Sequence, residues 1–219
     1  MNRTTYRSCT TALLTGALAV AVASGCSAED ATAAPQDGGA GSAAIHEAAH
    51  SSGRHGPPNR AVRETLATAR ATSANWHRVE EAEADGYALP PAPAPLHECI
   101  SATDGPGAMG LHYINGTNAE DTVLDPARPA ALVYEPTRNG RLRLVALEYV
   151  VFVDAWESAH PHRVPRMFGR KLTLVPDGNR FGLPAFYQVH AWVWKHNPHG
   201  RHADHNPRVS CRYADRLAD

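Results

Sequence analysis

The sequence predicts an α+β fold for residues 59–219, a single domain in which one N-terminal helix packs on a mostly antiparallel β-sheet. Two observations predict this class. Apolar residues recur at helical spacing over residues 62–82, and each clear apolar run after Cys99 has the length and composition of a strand. A single helix followed by strands is typical of an α+β domain whose helix covers one face of the sheet.

The predicted helix begins after two prolines, where Asn59 is a suitable N-cap. Asp85 and Gly86 supply the glycine signal that ends a helix. Residues three and four positions apart form one stripe that we expect to be buried: Val62, Leu66, Ala69, Ser73, Trp76, Val79 and Ala82. The four prolines within residues 90–95 then predict an extended segment.

Strands are predicted at residues 109–114, 131–135, 142–153 and 186–195. The sequence Pro-Thr-Arg-Asn-Gly at residues 136–140 indicates a hairpin turn between the second and third of these strands. The third strand is apolar on both faces, which is typical of a central strand.

Residues 1–25 have the features of a bacterial lipoprotein signal peptide. Arg3 and Arg7 precede an apolar run at residues 12–23, and Cys26 follows Ala-Ser-Gly. The run is shorter than the ~20 residues of a membrane span but suits a signal peptide. We therefore expect cleavage before Cys26, a lipid such as palmitate on that cysteine, and an extracytoplasmic protein anchored to the bacterial cell membrane. Secretion without lipid is the alternative.

Residues 26–58 are rich in small and polar residues, a composition that buries too little apolar area to fold by itself. They predict a flexible tether. Without the signal peptide the chain carries 19 basic and 22 acidic residues. This balance argues against nucleic-acid binding, which uses a basic surface. Contact with the membrane is expected through the lipid alone.

Two cysteines belong to the predicted domain, because Cys9 is removed with the signal peptide and Cys26 carries the lipid. Cys99 and Cys211 lie near the two ends of the domain, and an oxidising compartment favours a disulfide between them. The chain-entropy estimate for a loop of about 110 residues has an upper value of about 4–5 kcal/mol. Two buried free thiols are the alternative.

Two motifs are misleading in their context. Residues 46–50 read His-Glu-Ala-Ala-His, the zinc-protease signature, but they lie in the tether, where no apolar stripe would anchor a catalytic helix. We interpret His46, His50 and His55 as weak surface metal ligands at most. Residues 105–110 match GxGxxG, but they lead into a predicted strand, whereas a dinucleotide fingerprint opens a helix. We interpret them as a turn.

Three polar residues interrupt the apolar strands and carry the functional prediction: His112, Glu148 and His190. Strict alternation puts Glu148 on one strand face together with Leu142, Leu144, Ala146, Val150 and Phe152. The same alternation puts His190 on the face of Trp194. A buried, unpaired carboxylate is costly, so Glu148 needs a partner or a proton.

Three interpretations of this set stay open. Two histidines and a carboxylate can form an open site for a divalent transition metal such as copper or zinc. The same groups can form an acid–base pair with shifted pKa values. They can also form a hydrogen-bonded network that binds no ligand.

A second polar cluster follows the last predicted strand: His196, His199, His202, Asp204 and His205. Asparagine, proline and glycine surround these residues, which predicts a mobile surface loop. Such a loop can capture a metal ion loosely, or its histidines can be incidental and solvated.

Several motifs together resemble a family of uncharacterised exported bacterial proteins. They are residues 109–115 (MGLHYIN), 133–136 (VYEP), 145–149 (VALEY), 190–194 (HAWVW) with 197–198 (NP), and 206–211 (NPRVSC). The resemblance extends over residues 60–213, nearly all of the predicted domain. It implies one domain and a disulfide, and it implies no particular reaction.

The sequence thus predicts a membrane-anchored, non-enzymatic binding protein that contacts its ligand through His112, Glu148 and His190. A divalent transition metal is the expected ligand. One alternative is an extracytoplasmic metal-assisted enzyme that uses the same residues, and another is an envelope interaction module whose polar core is structural. An open cavity beside Glu148 would favour the first two, and a fully paired Glu148 the third.

Overall fold

A computed structural model describes residues 59–217. The strands are β1 (Ile100–Ser101), β2 (Ala108–Ile114), β3 (Ala131–Pro136), β4 (Leu142–Phe152), β5 (Arg166–Met167), β6 (Arg170–Lys171), β7 (Thr173–Val175) and β8 (Phe186–Ala191). Six of them form one sheet in the order β1-β2-β3-β4-β8-β7, with every neighbouring pair antiparallel. The predicted α+β class with an antiparallel sheet is confirmed.

Four α-helices accompany the sheet within residues 59–217: α1 (Arg60–Thr72), α2 (Val79–Ala84), α3 (Gly116–Glu120) and α4 (Val153–Ala159). Short 3₁₀ helices occupy Ser73–His77, Pro95–His97 and Ala214–Arg216. The predicted strand at residues 142–153 is one residue too long, because Val153 begins α4. The helices α3 and α4 and the short strands β1, β5, β6 and β7 lack a clear pattern in the sequence and were not predicted.

The single continuous helix predicted at residues 59–86 is wrong, because the structure divides this range into α1, a 3₁₀ helix and α2. Its start is confirmed, since the Asn59 side chain accepts a hydrogen bond from the Val62 amide at 2.9 Å. The chain then tightens into the 3₁₀ helix Ser73–His77, and Arg78 adopts extended backbone angles (φ −96°, ψ 119°) before α2. The predicted stripe is nevertheless turned inward: Leu66, Ala69, Ser73, Trp76 and Ala82 are buried, and Val62 and Val79 pack against the same core.

One face of the sheet packs against these helical segments. Alternate residues of β3, β4 and β8 form a single apolar cluster with α1 and the 3₁₀ helix: Leu132, Tyr134, Leu147, Tyr149, Val151, Val189 and Ala191. The Tyr134 hydroxyl also donates a hydrogen bond to the Trp76 carbonyl oxygen at 2.6 Å. The intervening residues of the same strands point to the opposite face, which holds the polar residues of interest.

A β-bulge at Val145 corrects the predicted alternation of β4. Val133 pairs with Ala146 and Tyr134 pairs with Leu144, so Val145 has no partner residue on β3. Beyond the bulge the side chains change face, and Leu144 joins the helix-covered cluster rather than the face of Glu148. The freed Val145 carbonyl oxygen instead accepts hydrogen bonds from the amides of Trp194 and Lys195.

The predicted last strand is too long, because β8 ends at Ala191. The chain turns there, and the Trp194 indole donates a hydrogen bond to the Ser73 hydroxyl at 3.0 Å. Trp194 therefore packs towards the helical layer and not, as predicted, on the face of His190. Trp192 stays on the other face, where it forms a second apolar cluster with Val133, Ala146 and Val209.

The segment after β8 crosses the second face of the sheet and is fixed by two buried asparagines. The Asn197 side chain donates to the His205 carbonyl oxygen at 3.0 Å, and the Asn206 side chain donates to that of His196 at 3.3 Å. Residues 196–205 form the predicted loop without helix or strand, and these hydrogen bonds tie its two ends together. The Sγ atoms of Cys99 and Cys211 are 2.08 Å apart, a disulfide distance that joins this segment to the start of β1.

The predicted signal peptide (residues 1–25), the lipidation site Cys26, the tether (residues 26–58) and the motif at residues 46–50 lie outside the described residues. Within the part of the chain that the structure describes, no helix is both long and apolar enough to cross a membrane.

Candidate metal centre

Glu148 and His190 face each other across the centre of the sheet. They are direct partners in the antiparallel pairing of β4 with β8, so their side chains emerge side by side on the same face. His112 lies two strands from Glu148, on β2, where its partner on β3 is Val133. Sheet topology therefore brings together three residues that are far apart in sequence.

Ala131 allows His112 and Glu148 to meet above β3. It pairs directly with Glu148 on β4, whereas His112 on β2 pairs with Val133, the next residue on the same face of β3. Ala131 lines one pocket together with both polar side chains. Two strand spacings separate β2 from β4 by about 10 Å, a gap that the long histidine and glutamate side chains close from both ends. A larger residue at position 131 would fill the space in which the two side chains meet.

The three side chains are buried and closely spaced. His112 Nε2 lies 3.4 Å from Glu148 Oε2, and His190 Nε2 lies 3.9 Å from Glu148 Oε1. The exposed fractions of the residues are 2 % for His112, 8 % for Glu148 and 0 % for His190. One donor atom from each residue lies within 4.8 Å of the other two. The set offers two imidazole nitrogens and one carboxylate oxygen to a shared occupant.

Three ring nitrogens of these histidines have no partner at close hydrogen-bonding geometry. Within residues 59–217, the buried ring nitrogens without a hydrogen-bond partner include His112 Nδ1 and both nitrogens of His190. Each unmade hydrogen bond of a buried polar group costs about 1–3 kcal/mol, so native proteins rarely leave such groups unmatched. The His190 nitrogens instead face the carboxylates of Glu148 and Asp204 at 3.9 and 3.7 Å, which leaves room for a ligand between the groups.

Burial controls the protonation of the site. Burial, with a further effect from His190, lowers the pKa of His112 to about 3, so its ring is neutral at neutral pH. Burial also raises the pKa of Glu148. His190 differs, because burial lowers its pKa but the carboxylates of Glu148 and Asp204 outweigh that effect and raise it.

Asp204 is a site residue that the sequence analysis did not connect with His190. Its Oδ1 lies 3.7 Å from His190 Nδ1, on the opposite side of the ring from Glu148. The interaction with His190 lowers the pKa of Asp204, which favours its carboxylate form. The sequence signal was present, since Asp204 belongs to the histidine-rich segment, but only the return of that segment over β8 places it here.

His202 anchors the segment that carries Asp204. Its Nδ1 donates a hydrogen bond to the His190 carbonyl oxygen at 2.7 Å, and its ring stacks on Phe168 with centroids 5.3 Å apart. Burial lowers the pKa of His202 to about 4. His196 and His199 are exposed, and within the described residues the loop histidines form no group of three metal ligands.

A pocket of about 110 Å³ opens beside the site. His112, Glu148 and Gln188 form its polar end. The rest of its wall is almost wholly apolar and includes Leu96, Ile100, Met109, Leu183, Phe181 and Phe186. A larger groove of about 1090 Å³ runs past the Cys99–Cys211 pair, but it contains none of the three site residues and does not bear on their chemistry.

Residues 105–107 lead into β2, which contains the rest of the GxGxxG match, whereas a dinucleotide fingerprint would open a helix. Gly107 and Gly110 have positive φ angles, and a Cβ atom at either would lie 2.4 Å from a backbone oxygen, of Asn206 and Tyr134 respectively. Gly107 and Gly110 thus serve close backbone packing, whereas a Cβ at Gly105 would meet open space.

Comparisons of the chain with protein-family models, with curated proteins and with solved structures gave no match.

Proposed function

We propose that this protein binds a divalent transition metal ion through His112, Glu148 and His190 and does so outside the cytoplasm, anchored to the membrane by lipid on Cys26. The observation that carries the proposal is the buried group of two imidazoles and one carboxylate, whose donor atoms lie within 4.8 Å of one another. This combination of ligands suits zinc or copper.

The spacing of the donor atoms supports a shared ion over direct pairing. Hydrogen bonds of charged groups span about 2.7–2.9 Å, and both histidine–glutamate distances are longer, at 3.4 and 3.9 Å. Ligands about 2.0–2.1 Å from a tetrahedral ion are about 3.3 Å from each other. The distance from His112 Nε2 to Glu148 Oε2 is close to this value, but His190 Nε2 faces the other carboxylate oxygen. One donor atom from each of the three residues lies within 4.8 Å of the others, so the ligands would close by up to about 1.5 Å around one ion.

Asp204 supports the same assignment. A histidine that binds a metal through one ring nitrogen commonly presents the other to a carboxylate, which orients the ring and raises its basicity. In His190, Nε2 faces Glu148 while Nδ1 faces Asp204 at 3.7 Å. Because His112 is neutral, its nitrogen lone pair is available to an ion at neutral pH.

The interpretation as a purely structural network has less support. Such a network needs each buried polar atom to be matched, because a partly satisfied network is less favourable than an apolar core. The unmatched nitrogens of His112 and His190, and the open pocket beside Glu148, favour a bound ligand. An enzyme that uses the same ion remains an alternative within this proposal, since three protein ligands leave a coordination position free.

The test is calorimetric titration of the purified full chain with Zn²⁺ and with Cu²⁺. The background protein carries His46→Gln, His50→Gln and His55→Gln, which remove the tether histidines as competing weak ligands. We expect one site per chain in this background. Glu148→Gln or His112→Gln should weaken it by more than the ~100-fold that loss of an outer-shell partner can cause.

His160→Gln is the matched control. His160 Nδ1 is also buried and without a hydrogen-bond partner, but its ring stacks on Trp156, with centroids 4.0 Å apart, and is not part of the site. We expect this variant to bind metal like the background protein. If Glu148→Gln and His112→Gln bind metal with unchanged stoichiometry and affinity, the proposed site is wrong.

The membrane anchor has its own test. Cys26→Ser should move the protein from the membrane fraction to the soluble extracytoplasmic fraction and abolish its labelling by an acyl probe. Cys9→Ser, within the signal peptide, is the matched control and should change neither. Retention of the Cys26→Ser protein in the membrane would contradict the anchor, and an unlabelled wild-type protein in the soluble fraction would support plain secretion.

A further inference from the structure

We propose that the pocket beside the site receives the short apolar tail of a small monoanion whose acidic head group completes the coordination of the metal ion. This inference rests on the proposed metal site and names the class of ligand that the site accepts.

Two of the three metal-binding residues also belong to the pocket. His112 and Glu148 form part of its wall, together with Gln188, which precedes His190 by two residues and shares its face of β8. A group at the polar end of the pocket is therefore within reach of an ion that these residues bind. Three protein ligands leave a fourth position for it in a tetrahedral site.

The apolar part of the pocket selects a hydrocarbon tail. Leucine, isoleucine, methionine and phenylalanine side chains make up most of the wall beyond the polar end. Its volume of about 110 Å³ corresponds to about four water molecules at ~30 Å³ each. This volume suits a tail of about three or four carbon atoms. Longer tails would extend through the open side.

The charge balance favours an anionic head group. A divalent ion with the Glu148 carboxylate and two neutral imidazoles has one net positive charge. Beyond the three ligands, the Arg180 guanidinium acts electrostatically on His112 and the Asp204 carboxylate on Glu148, with opposite signs. Arg180 lies over the ring of Phe181 at 5.2 Å from its centroid, and Phe181 is part of the pocket wall. A monoanion therefore neutralises the centre, and the guanidinium attracts it to the pocket.

The experiment uses the full chain, purified in an uncharged detergent and loaded with Co²⁺, whose visible absorption changes with its ligands. Butyrate, acetate and butylamine are titrated in turn. Each buried methylene group contributes about 0.8 kcal/mol, or about a fourfold gain in affinity. Butyrate should therefore change the spectrum saturably at a concentration about fifteenfold lower than acetate requires. Butylamine, which has a comparable tail and a positive charge, should leave the spectrum unchanged.

A pocket variant separates the tail site from the ion. Ala119 is half-buried on α3 and lines the pocket without belonging to the sheet. Ala119→Leu should fill the pocket and abolish the advantage of butyrate over acetate, while Co²⁺ binding stays as in wild type. Ala119→Ser, which adds little volume, is the matched control and should keep the full difference between the two anions.

The outcomes distinguish the two proposals. If Co²⁺ binds and acetate and butyrate act at equal concentrations, or if Ala119→Leu keeps the preference for butyrate, the tail site is wrong and the metal site stands. If butylamine binds like butyrate, the anionic head group is wrong. If Co²⁺ does not bind at all, the proposed metal site fails and this inference fails with it.

Discussion

Glu148 and His190 are direct cross-strand partners at the centre of the sheet, and their facing atoms Oε1 and Nε2 are 3.9 Å apart. Both residues are buried, so an ordinary core would bring these atoms into hydrogen-bond contact. His112 Nε2 approaches the other oxygen of the same carboxylate at 3.4 Å, so three donor groups converge within 4.8 Å of one another.

Glu148→Gln should separate metal binding from folding. Without metal, the variant should be at least as stable as wild type, because it no longer buries a carboxylate whose pKa burial raises. Wild type at a metal concentration 100 times its dissociation constant should gain about 2.7 kcal/mol, and the variant should gain almost none. Thermal unfolding with chelator and with Zn²⁺ measures both quantities. Equal stabilisation of the two proteins by Zn²⁺ would contradict the role of Glu148 as a ligand.

Asp204→Asn should weaken metal binding without removing the site. The amide keeps the size of the side chain but loses the charge that orients and polarises His190, an effect worth about 10–100-fold in affinity. Calorimetric titration with Zn²⁺ measures it. The matched control is Asp215→Asn, an exposed aspartate near the end of the described chain, which should bind as wild type does. Equal affinities of the two variants would show that Asp204 is not an outer-shell partner.

The stability contribution of His202 should depend on pH. Its pKa is lowered to about 4 in the folded protein, whereas in the unfolded chain it is about 6.5. Between these values the unfolded chain binds more protons, so stability present above pH 6.5 is lost as the pH falls towards 4. The expected slope from this one group is up to about 1.4 kcal/mol per pH unit.

His202→Asn tests this slope, since an asparagine amide can still donate to the His190 carbonyl oxygen but does not titrate in this range. Urea unfolding of the metal-free full chain at pH 7, 6 and 5 should show a smaller loss of stability for the variant than for wild type. Parallel curves for the two proteins would mean that His202 is protonated equally in both states.

The Cys99–Cys211 pair should contribute much of the stability. The cysteines are 112 positions apart, and closing a loop of that length is worth an upper value of about 4–5 kcal/mol. The double variant Cys99→Ala, Cys211→Ala should unfold at lower urea concentration than wild type. Reductant should lower the urea midpoint of wild type towards that of the double variant, and it should leave the midpoint of the double variant unchanged. If reductant changes the stability of neither protein, the two thiols are free.

Much of the fold followed from local patterns. The start of the first helix at Asn59, the strand at residues 109–114 and the hairpin around residues 136–140 depend on caps, turns and apolar periods, which a short stretch of chain contains in full. The bulge at Val145 did not follow from such patterns, because the hydrogen bonds that stabilise it come from Trp194 and Lys195, about fifty residues later in the chain.

The sequence by itself determined which residues are chemically out of place. His112, Glu148 and His190 are polar residues in strands whose other residues are mostly apolar, and the free-energy cost of burying each one can be judged separately. Only the tertiary structure decided that they meet. Their convergence depends on the strand order β2-β3-β4-β8 and on the pairing register, and the position of Asp204 depends on how the last segment crosses the sheet. These are contacts between distant parts of the chain, and a local pattern contains no information about which distant strand will be its neighbour.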